Sequence, residues 1–154
     1  MASIEDILNY TPIDGHLASS GQPKPEEFTL IAGAGFTTII NLATTASTGH
    51  LPDEADLCAR AGLDFTWQPV DWNAPTLDDY LRFQQWLDSK RSRMVWVHCA
   101  LNMRASLFCA LYRVIREGLP LERARKGVLE VWEPNEIWSG LARKVLAQVD
   151  TRRT

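Results

Sequence analysis

A short apolar run followed at once by a helical pattern is the feature that most constrains this chain. Residues 94–97 (Met-Val-Trp-Val) are typical of a buried strand, and a helical pattern begins just after Arg104. The chain must therefore turn between Cys99 and Met103. The six residues from Cys99 to Arg104 are called the Cys99 loop below. The N–H groups at the start of a helix have no intrahelical partners, and together with the helix dipole they attract an anion.

Cys99 is therefore the candidate nucleophile. The field at a helix N-terminus favours the thiolate over the thiol, and the Arg104 guanidinium adds a cation whose planar fork of donors suits a tetrahedral oxyanion. Cys58 and Cys109 fall in predicted helices, where a cysteine usually acts as a small buried hydrophobe. Three cysteines cannot all pair, and their spacing matches no disulfide framework or zinc site. We predict no metal and no cofactor.

Strands that alternate with helices predict an α/β fold with a central, mainly parallel sheet of four or five strands, flanked by helices and ending in an all-helical C-terminal part. A hairpin or single strand is expected over residues 13–18, and the β-branched segment 36–42 should be central in the sheet. Further strands are predicted at 63–67 and 94–97. Helices are expected over residues 25–34, 54–61, 76–89, 105–117 and 120–131, with a last one after Pro134 that carries Trp138 and Val149. Thr76 and Asp79 predict a variant of the capping box at the start of the third helix.

The chain as a whole is predicted to form one domain, residues 1–154. Its apolar fraction is 45%, its charged fraction is 23% and its net charge is −3. Since no basic run exists beyond Arg152 and Arg153, we expect no nucleic-acid partner. No stretch approaches the roughly 20 apolar residues that span a bilayer, so a cytoplasmic protein without a membrane partner is expected. The sequence does not predict an oligomeric state.

The segment around Cys99 resembles the signature loop of cysteine-dependent protein phosphatases, in which His-Cys is followed shortly by Arg. The match consists of His98, Cys99, Arg104 and a hydroxyl at Ser106. Two departures are a gap of four residues between Cys and Arg, where five are common, and the lack of a glycine. A four-residue gap occurs in a bacterial dual-specificity-like phosphatase family and in rhodanese sulfurtransferases. The Ser-Gly-Gln-Pro at residues 20–23 and the segment 35–42 also look like the opening of that bacterial family.

The resemblance implies a phosphomonoester hydrolase of the protein tyrosine or dual-specificity type that works through a phosphocysteine intermediate. Such a reaction needs a nucleophile, stabilisation of the phosphoryl charge and a proton for the leaving oxygen. Asp71 is the candidate acid, because loops that follow parallel strands converge at one edge of a sheet, and similar phosphatases carry their acid in such a loop. The phosphate-binding residues would be Ala100, Leu101, Asn102, Met103 and Arg104. The partner would be a phosphorylated protein or a small phosphomonoester.

Four further side chains receive supporting roles. His98 is expected to orient the loop and to tune Cys99 through hydrogen bonds. Ser106 would either stabilise the departing thiolate or bond the backbone of the first helical turn. Gln22 and Asn73 are candidates for ordering the hydrolytic water.

Two alternatives remain open at this point. The shortened loop without glycine is compatible with a binding module for phosphorylated ligands that does not turn them over. The same six-residue loop suits a rhodanese-like sulfurtransferase, in which Cys99 would carry a persulfide. Asp71 favours the phosphatase, because sulfur transfer to a thiophile needs no such acid.

Overall fold

The computed structural model describes the backbone of residues 2–153 and the side chains of residues 2–148. The predicted helix position Val149 and the terminal pair Arg152 and Arg153 therefore lie outside the described side chains. Within these limits the chain forms a five-stranded sheet covered by helices on both faces, which confirms the predicted fold class. None of the helices described combines the length and the apolar character that crossing a bilayer would require.

The sheet has the strand order β1-β2-β5-β3-β4. An antiparallel hairpin around Gly15 joins the first two strands, and every other neighbouring pair is parallel. The hairpin alternative for residues 13–18 is thus confirmed. The strands are β1 (Thr11–Asp14), β2 (Leu17–Ser20), β3 (Thr38–Asn41), β4 (Asp64–Trp67) and β5 (Val95–His98).

Strands β3 and β5 are buried in the interior of the sheet, and their register decides which loops lie next to each other. All four residues of β5 are buried, as are all four of β3, which fits strands covered on both faces by helices. The segment predicted to be central, β3, is an interior strand, and β5 lies in the middle between β2 and β3. The register pairs His98 with Ser20 on one side and with Asn41 on the other. The loops that leave these three strands therefore start side by side.

Within the described residues, six α-helices follow the predicted order, and the bounds that differ are shifted by one to three residues. The first α-helix begins at Phe28, because Pro25–Glu27 form a 3-10 helix, and the helix after β5 begins at Met103, so Arg104 lies in its first turn instead of before it. The predicted capping box of the third helix is present, since the Asp79 N–H donates to Thr76 Oγ1 at 3.1 Å and the Thr76 N–H donates to Asp79 Oδ2 at 2.9 Å. The helices are α1 (Phe28–Gly33), α2 (Glu54–Ala61), α3 (Leu77–Lys90), α4 (Met103–Glu117), α5 (Leu121–Leu129) and α6 (Glu136–Arg153).

Two apolar cores hold the helices to the sheet. On one face α3, α4 and α6 pack around an aromatic group that includes Phe83, Phe108 and Trp138. On the other face α1 and α2 pack against a smaller group around Phe28 and Trp96. The sheet is therefore fixed from both sides, and its carboxyl edge carries the loops described next.

Candidate active site

The sulfur of Cys99 lies at the N-terminus of α4. Cys99 follows β5 directly, its side chain is buried, and its Sγ accepts a hydrogen bond from the N–H of Ala105 at 3.5 Å. Ala105 is the third residue of α4, so this N–H is one of the helix-terminal donors that lack an intrahelical acceptor. The hydrogen-bond donor and the helix dipole are both aimed at the sulfur, an arrangement that suits a negatively charged group at this position.

The Cys99 loop is supported from behind by the segment that follows β2. The Gln22 N–H donates to the Ala100 carbonyl at 2.9 Å, and Gly21 forms an antiparallel bridge with Leu101. A Cβ at position 21 would lie 2.7 Å from the Ala100 carbonyl oxygen, so the close approach requires glycine. The Leu101 N–H points opposite to the Ala100 carbonyl across their trans peptide bond, and therefore away from Gln22.

Asn102 supplies the left-handed residue of the loop. Its φ is 71°, a region that asparagine enters more readily than other residues with a side chain. Its Nδ2 donates to the Asn9 carbonyl at 2.8 Å and to Thr11 Oγ1 at 3.0 Å. The missing glycine of the loop is thus replaced by an asparagine that the N-terminal segment holds in place. Sequence reasoning missed this role, although the tolerance of asparagine for positive φ was an available signal.

Arg104 is buried and tied to two other loops. Its Nη1 donates to the Val70 carbonyl at 2.8 Å and its Nη2 donates to Ser47 Oγ at 3.1 Å, while its Nε–H has no partner among the described residues. The guanidinium carbon lies 5.9 Å from the ring centre of Trp72. A buried cation with an unused donor is a site for an anion, because an unmatched N–H in such a place is costly.

One cavity of about 730 Å³ brings the main predicted residues together. Cys99, Arg104 and Asp71 all line it. Asp71 is exposed, and its Oδ1 accepts a hydrogen bond from the Asn73 N–H at 2.8 Å. Asn73 also lines the cavity, whereas Gln22 is turned into the protein. The other lining residues are Thr44, Ala46, Ser47, Thr48, Trp72, Ala100, Leu101 and Met103.

The loop that carries Asp71, residues 69–75 and called the Asp71 loop below, is anchored to the C-terminal helices. The Trp72 carbonyl accepts a hydrogen bond from Trp138 Nε1 at 2.9 Å. The Trp72 ring packs on Trp132 and Trp138, with ring centres 5.4 and 5.6 Å apart. The residue beside the candidate acid is therefore held by both a hydrogen bond and aromatic contacts.

His98 lies behind the Cys99 loop, fully buried, and pairs with a carboxylate that sequence reasoning missed. His98 Nε2 is 2.6 Å from Glu54 Oε2, and His98 Nδ1 is 3.1 Å from the Cys99 carbonyl oxygen. Glu54 Oε1 accepts hydrogen bonds from Gln22 Nε2 at 2.9 Å and from Asn41 Nδ2 at 3.3 Å. A glutamate in the first turn of a helix is usually explained by the helix dipole, so no local sequence signal indicates that Glu54 is buried.

The remaining candidates have structural contacts. The Ser106 hydroxyl donates to the Met103 carbonyl at 3.0 Å, and Ser106 lines a separate cavity of about 130 Å³. Of its two expected roles, the bond to the first helical turn is the one present. Cys58 and Cys109 are buried, as expected. Burial is the main cause that raises the pKa of Cys58 to about 12, and the nearby Glu54 charge adds to it. Burial also raises the pKa of Cys109 well above its usual value.

Comparison with known proteins finds curated relatives that match most of this chain. No family model matches the chain. A beta-lactamase hydrolase-like protein of Xylella fastidiosa is 35% identical over 111 residues, 70% of this chain, and the chain spans about a quarter (26%) of the length of the curated relatives it matches.

Solved structures match over nearly the whole chain. A DUF442 protein of Shewanella putrefaciens, named as a candidate phosphatase, is 31% identical with a TM-score of 0.86, covering 95% of this chain and 96% of that one. A Cys→Ser variant of TpbA from P. aeruginosa, solved with phosphotyrosine, has a TM-score of 0.75 at 18% identity, covering 95% of this chain and 88% of that one. At this lower identity the likeness shows the fold alone.

Proposed function

This chain belongs to the DUF442 family of candidate phosphatases, and from that premise we propose that it is a cysteine-dependent phosphomonoester hydrolase. Similarity to phosphatases supports a phosphatase-like function, and the site supports the finer assignment. The observation that carries it is the position of the Cys99 sulfur, 3.5 Å from a helix-terminal N–H, in one cavity with Arg104 and Asp71. These three groups supply the nucleophile, the anion contact and the acid that the reaction requires.

In the first step the Cys99 thiolate attacks phosphorus, so that a sulfur–phosphorus bond forms while the bond from phosphorus to the leaving oxygen breaks. Asp71 donates its proton to that oxygen. The free Nε–H of Arg104 and the loop amides hold the phosphoryl oxygens. In the second step a water attacks phosphorus, Asp71 accepts the water's proton, and phosphate leaves with restoration of the Cys99 thiolate.

The proposed substrate is a single phosphoryl group on a protein or a small molecule. Arg104 is the one cation among the described residues that line the cavity, and apart from the Asp71 carboxylate and the Cys99 sulfur the rest of the wall is hydroxyl, amide and apolar. Such a wall offers a cation to one phosphoryl group and none to a second. Phosphotyrosine is the simplest protein substrate by similarity to the TpbA complex. The proposed organisation is one phosphatase domain, and the whole activity of the longer relatives is not implied.

The decisive experiment is steady-state hydrolysis of an activated aryl phosphate and of a phosphotyrosine peptide, without added metal. Wild type should turn over, Cys99→Ser should bind the substrate without turning it over, and Asp71→Asn should be slowed most for poor leaving groups. A folded wild type that binds the phosphopeptide but hydrolyses it no faster than Cys99→Ser would reject the hydrolase and favour a binding module.

Sulfur transfer is the second candidate, and the short Cys99 loop favours it, because the four residues between Cys99 and Arg104 present few amides to the three oxygens of a phosphoryl group. Two of the five N–H groups of Arg104 already have protein acceptors. In this reaction the Cys99 thiolate attacks the outer sulfur of thiosulfate, the S–S bond breaks, and sulfite leaves with the electron pair. Cyanide then takes the sulfur from the Cys99 persulfide. Thiocyanate formation that depends on Cys99, with no phosphatase turnover, would select this candidate.

A further inference from the structure

We propose that Glu54 is a positioning residue for the Cys99 loop, acting through His98, whose second ring proton it holds. The proposal rests on Cys99 as the nucleophile of the proposed function but does not depend on which substrate it attacks. Glu54 begins α2, His98 ends β5, and the two lie 44 positions apart in the chain. The contact between the two side chains is buried, since 3% of the Glu54 side chain and 0% of the His98 side chain is exposed.

The partners of His98 define where its protons are. Nδ1 faces the Cys99 carbonyl oxygen, which can only accept, so Nδ1 must carry a hydrogen. Nε2 is 2.6 Å from Glu54 Oε2, a distance that requires a hydrogen between the two atoms. The pair is therefore either an imidazolium with a carboxylate or a neutral imidazole with a carboxylic acid. A neutral imidazole beside a charged Glu54 does not fit this geometry.

The surroundings of Glu54 favour the ion pair. Its Oε1 accepts hydrogen bonds from Gln22 Nε2 and Asn41 Nδ2, so the carboxylate has donors on both oxygens. Hydrogen bonds to a carboxylate favour its charged form, and so does the dipole at the start of α2. An uncompensated charge at this depth would be expensive, and His98 compensates it. The network joins the ends of β2, β3 and β5, which are the strands from which the site loops leave.

This pair acts on Cys99 in two ways. The Nδ1–H of His98 fixes the direction of the Cys99 carbonyl, and the N–H of Ala100 points the opposite way across the same trans peptide. The first amide of the loop is thereby oriented. The imidazolium also places a positive charge one residue before the thiolate, where it favours the reactive form. Glu54 touches neither the sulfur nor the cavity, so both effects pass through His98.

Glu54→Gln is the informative substitution because it keeps the hydrogen bonds and removes the charge. The introduced amide oxygen can accept from Gln22 and Asn41, and its N–H group can donate to an unprotonated His98 Nε2. His98 Nδ1–H can still donate to the Cys99 carbonyl. The fold should therefore persist, while the imidazolium is lost. Asp64→Asn is the matched control, because Asp64 is an exposed carboxylate on β4 whose partner is Arg93.

The primary measurement is the rate of Cys99 alkylation by iodoacetamide at pH 7, followed by mass spectrometry of the Cys99 peptide. We expect Glu54→Gln to lower this rate about tenfold, because both charges of the pair are lost and the positive charge on His98 lies nearer the thiolate than the negative charge on Glu54. Asp64→Asn should match wild type within about twofold. Alkylation of Glu54→Gln at the wild-type rate would overturn the proposal. The alkylation rate is measured without a substrate. The proposed role of Glu54 can therefore be rejected while phosphatase activity is found, or supported while no phosphatase activity is found.

A double-mutant cycle tests whether the effect passes through His98. In a His98→Asn background, Glu54→Gln should change the alkylation rate by less than about twofold, since the residue that transmits the effect is gone. An undiminished tenfold loss in that background would overturn the assigned route.

The protonation of His98 can be measured directly on the wild-type protein, so the result does not depend on how any Glu54 variant folds. Long-range ¹H–¹⁵N NMR spectra, assigned with His16→Gln and His50→Gln variants, report the protonation of each His98 ring nitrogen. Both nitrogens of His98 should be protonated at pH 7. A His98 with a bare Nδ1, or a neutral ring with a bare Nε2, would overturn the proposal.

Discussion

Asn102 and Asn9 join the Cys99 loop to the N-terminal segment, because each side-chain amide donates to a backbone carbonyl at or next to the other residue. Asn102 Nδ2 donates to the Asn9 carbonyl at 2.8 Å, and Asn9 Nδ2 donates to the Leu101 carbonyl at 3.0 Å. Both residues have positive φ, 71° for Asn102 and 52° for Asn9. The loop turns without a glycine because an asparagine both accepts the left-handed conformation and bonds the neighbouring segment.

Asn102→Ala should destabilise the protein strongly, although the substitution removes only a few atoms. The substitution forces a residue with a Cβ and no local hydrogen bond into φ near 71°, at a cost of about 1–2 kcal/mol. It also removes two side-chain hydrogen bonds, each worth about 0.5–1.5 kcal/mol. A loss of about 2–5 kcal/mol is therefore expected in the free energy of unfolding, measured by urea denaturation.

Asn102→Gly is the matched control for this prediction. Glycine removes the same hydrogen bonds but takes up positive φ freely, so its loss should be smaller, about 1–3 kcal/mol. Equal stability of the alanine and glycine variants would show that backbone conformation contributes nothing at position 102.

Gly21→Ala should disturb the Cys99 loop. The new Cβ would lie 2.7 Å from the Ala100 carbonyl oxygen and 3.0 Å from the Leu8 side chain, and the backbone oxygen cannot move without shifting the loop. We expect a loss of about 1–3 kcal/mol in unfolding free energy and reduced turnover. Gly127→Ala, in α5 with nothing near its Cβ, should instead be neutral or stabilise by up to about 1 kcal/mol. Similar behaviour of the two variants would contradict the steric argument.

The sequence predicted the elements whose signals are local. The apolar run before Cys99 and the helical pattern after Arg104 were sufficient to place the cysteine at a helix N-terminus, and Thr76 and Asp79 were sufficient for a helix start. The shared cavity of Cys99 and Asp71 followed from the convergence of loops at one edge of a parallel sheet.

The missed features depend on contacts between distant segments. Glu54 has the sequence context of an ordinary first-turn acid, and its burial appears only when β2, β3 and β5 align beside α2. At position 102 the sequence shows only that a glycine is missing, because the hydrogen-bond partners of Asn102 lie some 90 positions earlier in the chain. The sequence predicts the start of α4 too late, because the polar Arg104 interrupts the apolar pattern although its side chain is buried.

Arg104→Lys should abolish most anion binding. A lysine has one nitrogen, which cannot contact the Val70 carbonyl, the Ser47 hydroxyl and an oxyanion in the fixed arrangement of a guanidinium. Turnover should fall about 100- to 1,000-fold, and the inhibition constant of inorganic phosphate should rise. Arg60→Lys, on an exposed side chain of α2, is the control and should leave both quantities unchanged. Retained phosphate affinity in Arg104→Lys would remove Arg104 from the anion site.

Trp138→Phe should impair the acid step more than the nucleophilic step. The indole Nε1–H of Trp138 donates to the Trp72 carbonyl, next to Asp71, and phenylalanine keeps an aromatic ring but lacks this donor. A small displacement of an acid slows proton transfer steeply, and the loss matters most when the leaving oxygen is basic. We expect turnover of phenyl phosphate to fall about tenfold more than turnover of p-nitrophenyl phosphate, with the fold checked by urea denaturation. Trp132→Phe makes the same change in the same aromatic cluster, but Trp132 Nε1 has no partner among the described residues, so it should affect both substrates alike. If Trp138→Phe also slows both substrates equally, the hydrogen bond from α6 does not position Asp71.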